Sequence, residues 1–328
     1  MALGLIALPI AVLLLWFVSQ VTLSYKGYPG PSRIVLIERG WTLQKIADTL
    51  NSQGIIHSSH VFRWYIQLAF DPSSLKAGEY QFEGPQNLSA VFKKIRSGKV
   101  HHRRITIPEG LTQKEIAKRL EAKGFGDEDK FLQAMKKTDL INDWDPLAKQ
   151  NLEGYLFPET YFFNREADEQ KIVQSMVDYF RQHWTTAHSI RSEELNLSIR
   201  EVVILASLIE KETGLDRERS LISAVFQNRL KQNLRLASDP TVIYAVALIK
   251  EFDGIIHQSD LNLDSPYNTY IYPGLPPGPI SNPGLRSIEA VLYPADVDYL
   301  YFVATNDGAH FFSDNYQDHS RAVEKYQR

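Results

Sequence analysis

Leu3 to Leu23 is almost wholly apolar, and residues 1–25 carry no charged side chain. As a helix, such a stretch rises about 31 Å, the thickness of a bilayer core. Trp16 and Tyr25 fall where membrane interfaces would lie. The pattern predicts an uncleaved transmembrane anchor over 1–26. A cleavable signal peptide is the rival, but a basic start and small residues before a cleavage point are missing. Lys26 and Arg33 follow the span and no basic residue precedes it, so charge does not encode the orientation.

Beyond the GYPGPS linker at 27–32, an apolar pattern occurs twice. IVLIERGWTLQKIADTLNSQGI (34–55) and ITIPEGLTQKEIAKRLEAKGF (105–125) align at a constant offset from Gly40/Gly110 to Gly54/Gly124. Each copy predicts a short strand, a turn, a helix opened by Thr42 or Thr112 and closed by glycine, and a second helix. Thr112 with Glu115 fits a capping box, whereas Thr42 with Lys45 does not. A strand over 76–82 and a helix over 88–95 complete the first copy. Two copies are too few for a solenoid, so the pattern predicts a duplicated small α+β module.

From Asn151 the texture changes. Helices are predicted over 171–183, from about 198 to 214, and over 220–230. Another begins at SDPTVIY (238–244), with Ser238 or Asp239 as its cap and Pro240 in the first turn. LYFVA (300–304) and 309–312 read as a strand hairpin, after a proline- and glycine-rich loop over 264–284. The whole reads as α+β: a transmembrane helix (1–26), two related modules (27–98 and 99–150) and a mixed α+β domain (151–328).

Composition narrows the chemistry. The 328 residues include no cysteine, which excludes disulfides and thiolate catalysis. A formal net charge of −3 gives no global field for nucleic acid. The basic run KVHHRR (99–104) reads as a solvated linker. His310 and His319 lack ligand spacing for a metal and read as structural or solvated.

One carboxylate stands out. In the helix over 202–214, Leu205, Leu208, Ile209 and Glu212 share a face, and Glu210 points the other way. A glutamate in an apolar stripe is costly to ionise, which suits a general acid. The alternative is a helix end at which Glu212 simply reaches water before Gly214. Glu159, Asp216, Glu218 and Asp239 are further acids, and spacing does not say which approach Glu212. Tyr267, Asn268, Thr269 and Tyr270 form an aromatic and amide cluster suited to a sugar-binding cleft wall, with a packed loop as the alternative. Asn282 is a further polar candidate of the same kind.

EKETG (210–214), NRL (228–230), SDPTVIY (238–244), SPYNTY (265–270), GLPPGPISNPG (274–284) and YLYFVA (299–304) occur together and in order, with AGEY (77–80) and FPETY (157–161) before them. This set resembles the membrane-anchored, YceG-like family of endolytic murein transglycosylases. The resemblance covers almost the whole chain. It implies LysM-like modules near an inner-membrane anchor and a catalytic part outside the cytoplasm, in the periplasm. It implies a carbon–oxygen lyase that cleaves nascent peptidoglycan strands to 1,6-anhydro-N-acetylmuramic acid ends and limits strand elongation, without metal or cofactor. The family's catalytic glutamate, the second of its EKE triplet, falls on Glu212. Glu159, Asp239, Tyr267, Asn268, Thr269, Tyr270 and Asn282 become the candidate substrate contacts. The expected partners are glycan strands, the membrane and peptidoglycan synthases. Two rival functions stay open: a muramidase-type hydrolase using a second acid, and a peptidoglycan-binding scaffold without activity.

Overall fold

Thr42 and Thr112 do what the repeat demands of them. Each accepts a hydrogen bond from the backbone N–H three residues on, and Glu115 closes the capping box only in the second copy. These contacts belong to a computed structural model that describes residues 2–148 and 150–327, with the side chains of residues 2–10 outside the description. The chain divides into two compact units, Met1–Arg104 with Phe162–Ala167, and Ile105–Tyr161 with Asp168–Arg328.

The first unit opens with helix α1 (Ala2–Thr22), then β1 (Ser32–Ile37), α2 (Leu43–Ser52), α3 (Ser59–Ala69), β2 (Gly78–Glu83) and α4 (Leu88–Ser97). Antiparallel β1 and β2 pair Val35 with Tyr80, and alternate residues point inward, as a half-buried ribbon requires. Val35, Ile37, Tyr80 and Phe82 meet Leu50, Phe62, Ile66, Phe92 and Ile95 from the helices in one core. Among the described residues, no helix is long and apolar enough to cross a membrane. The expected span rests partly on residues 1–10, which lie outside the described side chains.

The second unit begins along β3 (Arg103–Thr106), so the end of the basic run is strand rather than linker. Next come α5 (Gln113–Ala122), α6 (Glu128–Ala134), β4 (Thr160–Phe163), which pairs with β3, and α7 (Glu169–His183). The two copies agree in backbone detail. Gly40 and Gly110 both adopt left-handed φ (+82° and +77°), as do Gly54 and Gly124 (both +71°). Ile46, Ala47 and Leu50 are buried in one copy, and Ile116, Ala117 and Leu120 in the other. Residues 105–150 nevertheless form part of the same compact unit as 168–328.

Helices α8 (Thr186–Glu194), α9 (Ile199–Glu212), α10 (Asp216–Lys231), α11 (Asp239–Ala247), α12 (Gln258–Leu261) and α13 (Leu285–Leu292) follow, then β5 (Tyr301–Ala304), β6 (His310–Ser313) and α14 (Tyr316–Gln327). The hairpin is antiparallel and turns at Thr305–Ala309. α9 is the centre of this unit: α8, α10, α11 and α13 all pack on it, and every residue from Val202 to Ile209 is buried. The expected one-sided stripe is therefore an all-round core helix. The proline-rich loop packs onto this helix. Ile280 donates its N–H to Ser207 Oγ at 3.1 Å, and Ser281 Oγ bonds Ser207 O at 3.2 Å, which fastens the loop to the middle of α9. Gly154 lies beneath it with φ +89°; a Cβ there would stand 2.5 Å from Pro279 Cγ.

Candidate active site

Glu212 is the last residue of α9. Thr213 then turns extended, and its Oγ1 accepts the Leu215 N–H at 3.0 Å, which redirects the chain into α10. The Glu212 side chain is neither in the core nor free in water. It lines a cavity of about 350 Å³ together with Asp239, Tyr270, Arg229, Tyr301, His310 and His319. Ser238 Oγ donates to Glu212 Oε1 at 2.5 Å. Burial pushes the Glu212 carboxyl from its ordinary value of 4.5 up to about 7. The nearby Asp239 charge pushes the same way, and the Ser238 hydrogen bond opposes both.

The start of α11 holds this arrangement. Ser238 is the N-cap residue by position, but its hydroxyl makes no cap bond and goes to Glu212 instead. Asp239 is the first helical residue, and its Oδ1 accepts from Tyr270 OH at 2.6 Å. Thr269 stands behind: its Oγ1 accepts the Ser238 N–H at 3.0 Å and bonds Thr241 Oγ1 at 2.9 Å. Ala237, in the left-handed region at φ +49°, turns the chain into this corner.

Of the sequence candidates, Asp239 and Tyr270 share the cavity with Glu212, and Thr269 supports it through Ser238. Others lie apart from it. Asn268 is fully buried, with its amide donating to Leu261 O and Leu263 O and accepting from Tyr270 N, all at 3.0 Å. Asn282 is also fully buried; its oxygen accepts from Gly154 N and Leu156 N, and its nitrogen donates to Leu111 O and Glu153. Both amides lock loops. Tyr267 packs on Tyr244, with ring centroids 4.9 Å apart, and lines a separate cavity with Glu153 and Arg200. Glu159 is exposed and accepts the N–H of Thr160.

Glu210 is not the solvent-facing opposite of Glu212. Its side chain is only 6% exposed, pairs with Arg219 at 3.1 Å and accepts Gly284 N at 3.0 Å. Sequence reasoning missed Ser238 as a partner of Glu212. It also missed Glu153, a buried acid raised to about 8 by desolvation while Tyr244 OH and the Asn282 amide bond it. It read His310 and His319 as structural or solvated, and both line the Glu212 cavity. His310 Nδ1 lies 2.7 Å from Oε2 of the buried Glu218, whose Oε1 accepts the His310 backbone N–H at 3.1 Å. No local pattern could have joined these two, because they are 92 residues apart in the chain.

An acid that stays protonated near neutrality, in a polar cavity walled by tyrosines, is equipped to protonate a leaving oxygen on a polar substrate. The chain belongs to the YceG-like family, whose pattern matches residues 35–325. It is 35% identical over 307 residues to the endolytic murein transglycosylase of Bacillus subtilis (strain 168), across 88% of this chain and 83% of that protein. It is 30% identical over 319 residues to the endolytic murein transglycosylase of Streptococcus pneumoniae serotype 2 (strain D39), across 88% of this chain and 57% of that longer protein. A crystal structure of a yceG-like protein from Listeria monocytogenes superposes with a TM-score of 0.62 at 33% identity, covering 89% of this chain and 98% of that one.

Proposed function

We propose that this chain is an endolytic murein transglycosylase, a peptidoglycan lyase with Glu212 as its acid and then its base. The observation that carries the reading is Glu212 itself: raised to about 7, bonded to Ser238 and facing a cavity beside Asp239 and Tyr270. The protonated carboxyl delivers its proton to the glycosidic oxygen as the C1–O bond breaks. The resulting carboxylate takes the proton of the muramyl C6 hydroxyl, and O6 closes on C1 of the same sugar. The product end is 1,6-anhydro-N-acetylmuramic acid, and no water or cofactor enters the step. Ser238 suits both halves, since a hydroxyl donor steadies the carboxylate formed between them.

A hydrolase would need a second carboxylate to activate water. Asp239 shares the cavity and is the residue that favours this second reading, although one of its oxygens already accepts from Tyr270 OH. Product mass separates the two on uncrosslinked glycan strands. Anhydro ends weigh one water less than reducing ends. Reducing ends lost in a Glu212→Gln variant would establish the hydrolase, and strand binding without any cleavage would establish the scaffold.

The proposal extends to place and consequence. An N-terminal anchor holds the catalytic part outside the cytoplasm, where fresh strands emerge. Cuts within those strands cap their length, which makes peptidoglycan synthases the natural neighbours.

A further inference from the structure

Most polar groups of the Glu212 cavity are already committed. Arg229 donates Nε to Leu300 O at 2.8 Å and Nη1 to Leu236 O at 2.6 Å. Tyr270 OH is given to Asp239, and Ser238 to Glu212. The two histidines are less committed: His319 stacks on Tyr301 and keeps a buried Nδ1 with no partner among the described residues, and the other ring is that of His310. Its side chain is 11% exposed, it lines the cavity, and its ring is held edge-on to Phe302 at 5.3 Å. Nδ1 belongs to Glu218, while Nε2 has no partner among the described residues.

Glu218 determines what Nε2 can do. Its carboxylate only accepts, so in the neutral ring the proton sits on Nδ1 and Nε2 carries the lone pair. The carboxylate is itself fixed, with Oε1 on the His310 backbone N–H and Thr213 Oγ1 at 3.4 Å from Oε2. Glu218 is 4% exposed, so water does not compete for it. A buried carboxylate thus presents one imidazole, in one tautomer, to the cavity that holds the acid.

We propose that His310 is a further catalytic residue, whose Nε2 accepts a hydrogen bond from a sugar hydroxyl of the strand bound at Glu212, with Glu218 as the positioning residue that sets its tautomer. This rests on the transglycosylase reading. It adds a second substrate contact and leaves the proton steps with Glu212.

Three substitutions test it on the full chain with uncrosslinked glycan strands. Glu218→Gln keeps shape, but the His310 backbone N–H holds the amide oxygen in the Oε1 position. The amide NH₂ then faces Nδ1, drives the ring proton to Nε2 and turns an acceptor into a donor. His310→Asn places an amide nitrogen where Nδ1 was, so the bond to Glu218 survives while Nε2 is lost. Both should lower kcat/KM by about 10- to 100-fold, with thermal unfolding close to that of the parent. In ¹⁵N-histidine-labelled protein the ring proton of His310 should sit on Nδ1, and move to Nε2 in Glu218→Gln. A folded His310→Asn variant with parental kcat/KM would show that the histidine only braces β6 and would overturn the proposal. So would a parental spectrum with a proton on Nε2, alone or together with one on Nδ1, a readout that stands even where a variant does not fold. Glu212→Gln separates the two levels: if it still cleaves, the function itself is misread, whereas if it is inactive while His310→Asn is not, only the histidine assignment falls.

Discussion

Burial penalises the Glu212 anion, so its carboxyl stays protonated up to about 7. In its proposed role as general acid it acts in the protonated form, and kcat/KM should therefore fall as pH rises through about 7. A profile flat to pH 9 would count against an acid role. Glu212→Gln removes the proton donor while keeping the shape, and should cost about 10²–10⁴-fold in rate. On stability the substitution should act in the opposite sense. The folded-state value lies above the unfolded one, so the stabilisation is complete below the ordinary 4.5 and is lost as pH rises through about 7. Glu212→Gln should then melt above the parent at pH 8, with the gap closing toward pH 4.5 in a calorimetric series. Glu210→Gln should behave differently, because it strips a buried charge from Arg219. Arg219 keeps Asp216 at 3.3 Å, so the expected result is a lower melting temperature, from a loss of about 1–3 kcal/mol, and an activity loss at least about tenfold milder per folded molecule. Glu212 was legible because an acid among regularly spaced leucines is conspicuous. Ser238, Glu218 and His310 are ordinary residues locally and acquire meaning only through distant partners.

At the scale of elements, caps, glycines and apolar periodicity foretold the repeated strand–turn–helix, because all three are local. The end of the chain was harder. α14 buries only Ala322, so little apolar pattern marks it, and α13 follows a proline-rich loop that no periodicity describes. That loop is docked on α9 through Ser207. Ser207→Ala would leave the buried Ile280 N–H without its acceptor, at about 1–3 kcal/mol. Chemical denaturation should record the loss; an unchanged midpoint would mean that the loop is held by packing alone. The start of α11 carries a subtler consequence. Its N-cap hydroxyl is diverted to Glu212, where it favours the carboxylate. Ser238→Ala should thus raise the Glu212 pKa further and move the alkaline limb of the rate profile upward, while Ser238→Thr should largely restore it. A limb unmoved in the alanine variant would detach Ser238 from the acid.

For the whole molecule, α1 poses the physical problem. Val12, Leu13, Leu14, Leu15 and Val18 are 53–71% exposed, a continuous apolar surface that no described residue covers. Water is a poor solvent for such a run, and a bilayer is the medium that accepts it. The helix is also not a loose tail: Phe17 packs against the core of the first unit, and Tyr25 pairs with Gln86 in an isolated bridge. An anchor joined this way would hold the first unit at the membrane surface. We therefore expect the full chain to sediment with membranes and to need detergent, not alkaline carbonate, for release. A chain beginning at Ser24 keeps Tyr25 and the buried Tyr28, so it should fold, stay in the soluble fraction and cut isolated strands at the parental rate. Its shortening of strands in growing cells should be largely lost, because placement and not chemistry has been removed. Charge offers no guide to orientation, so a reporter fused after Arg328 supplies it, and should be active only outside the cytoplasm. Cytoplasmic reporter activity, or a full chain that remains soluble without detergent, would overturn the anchor.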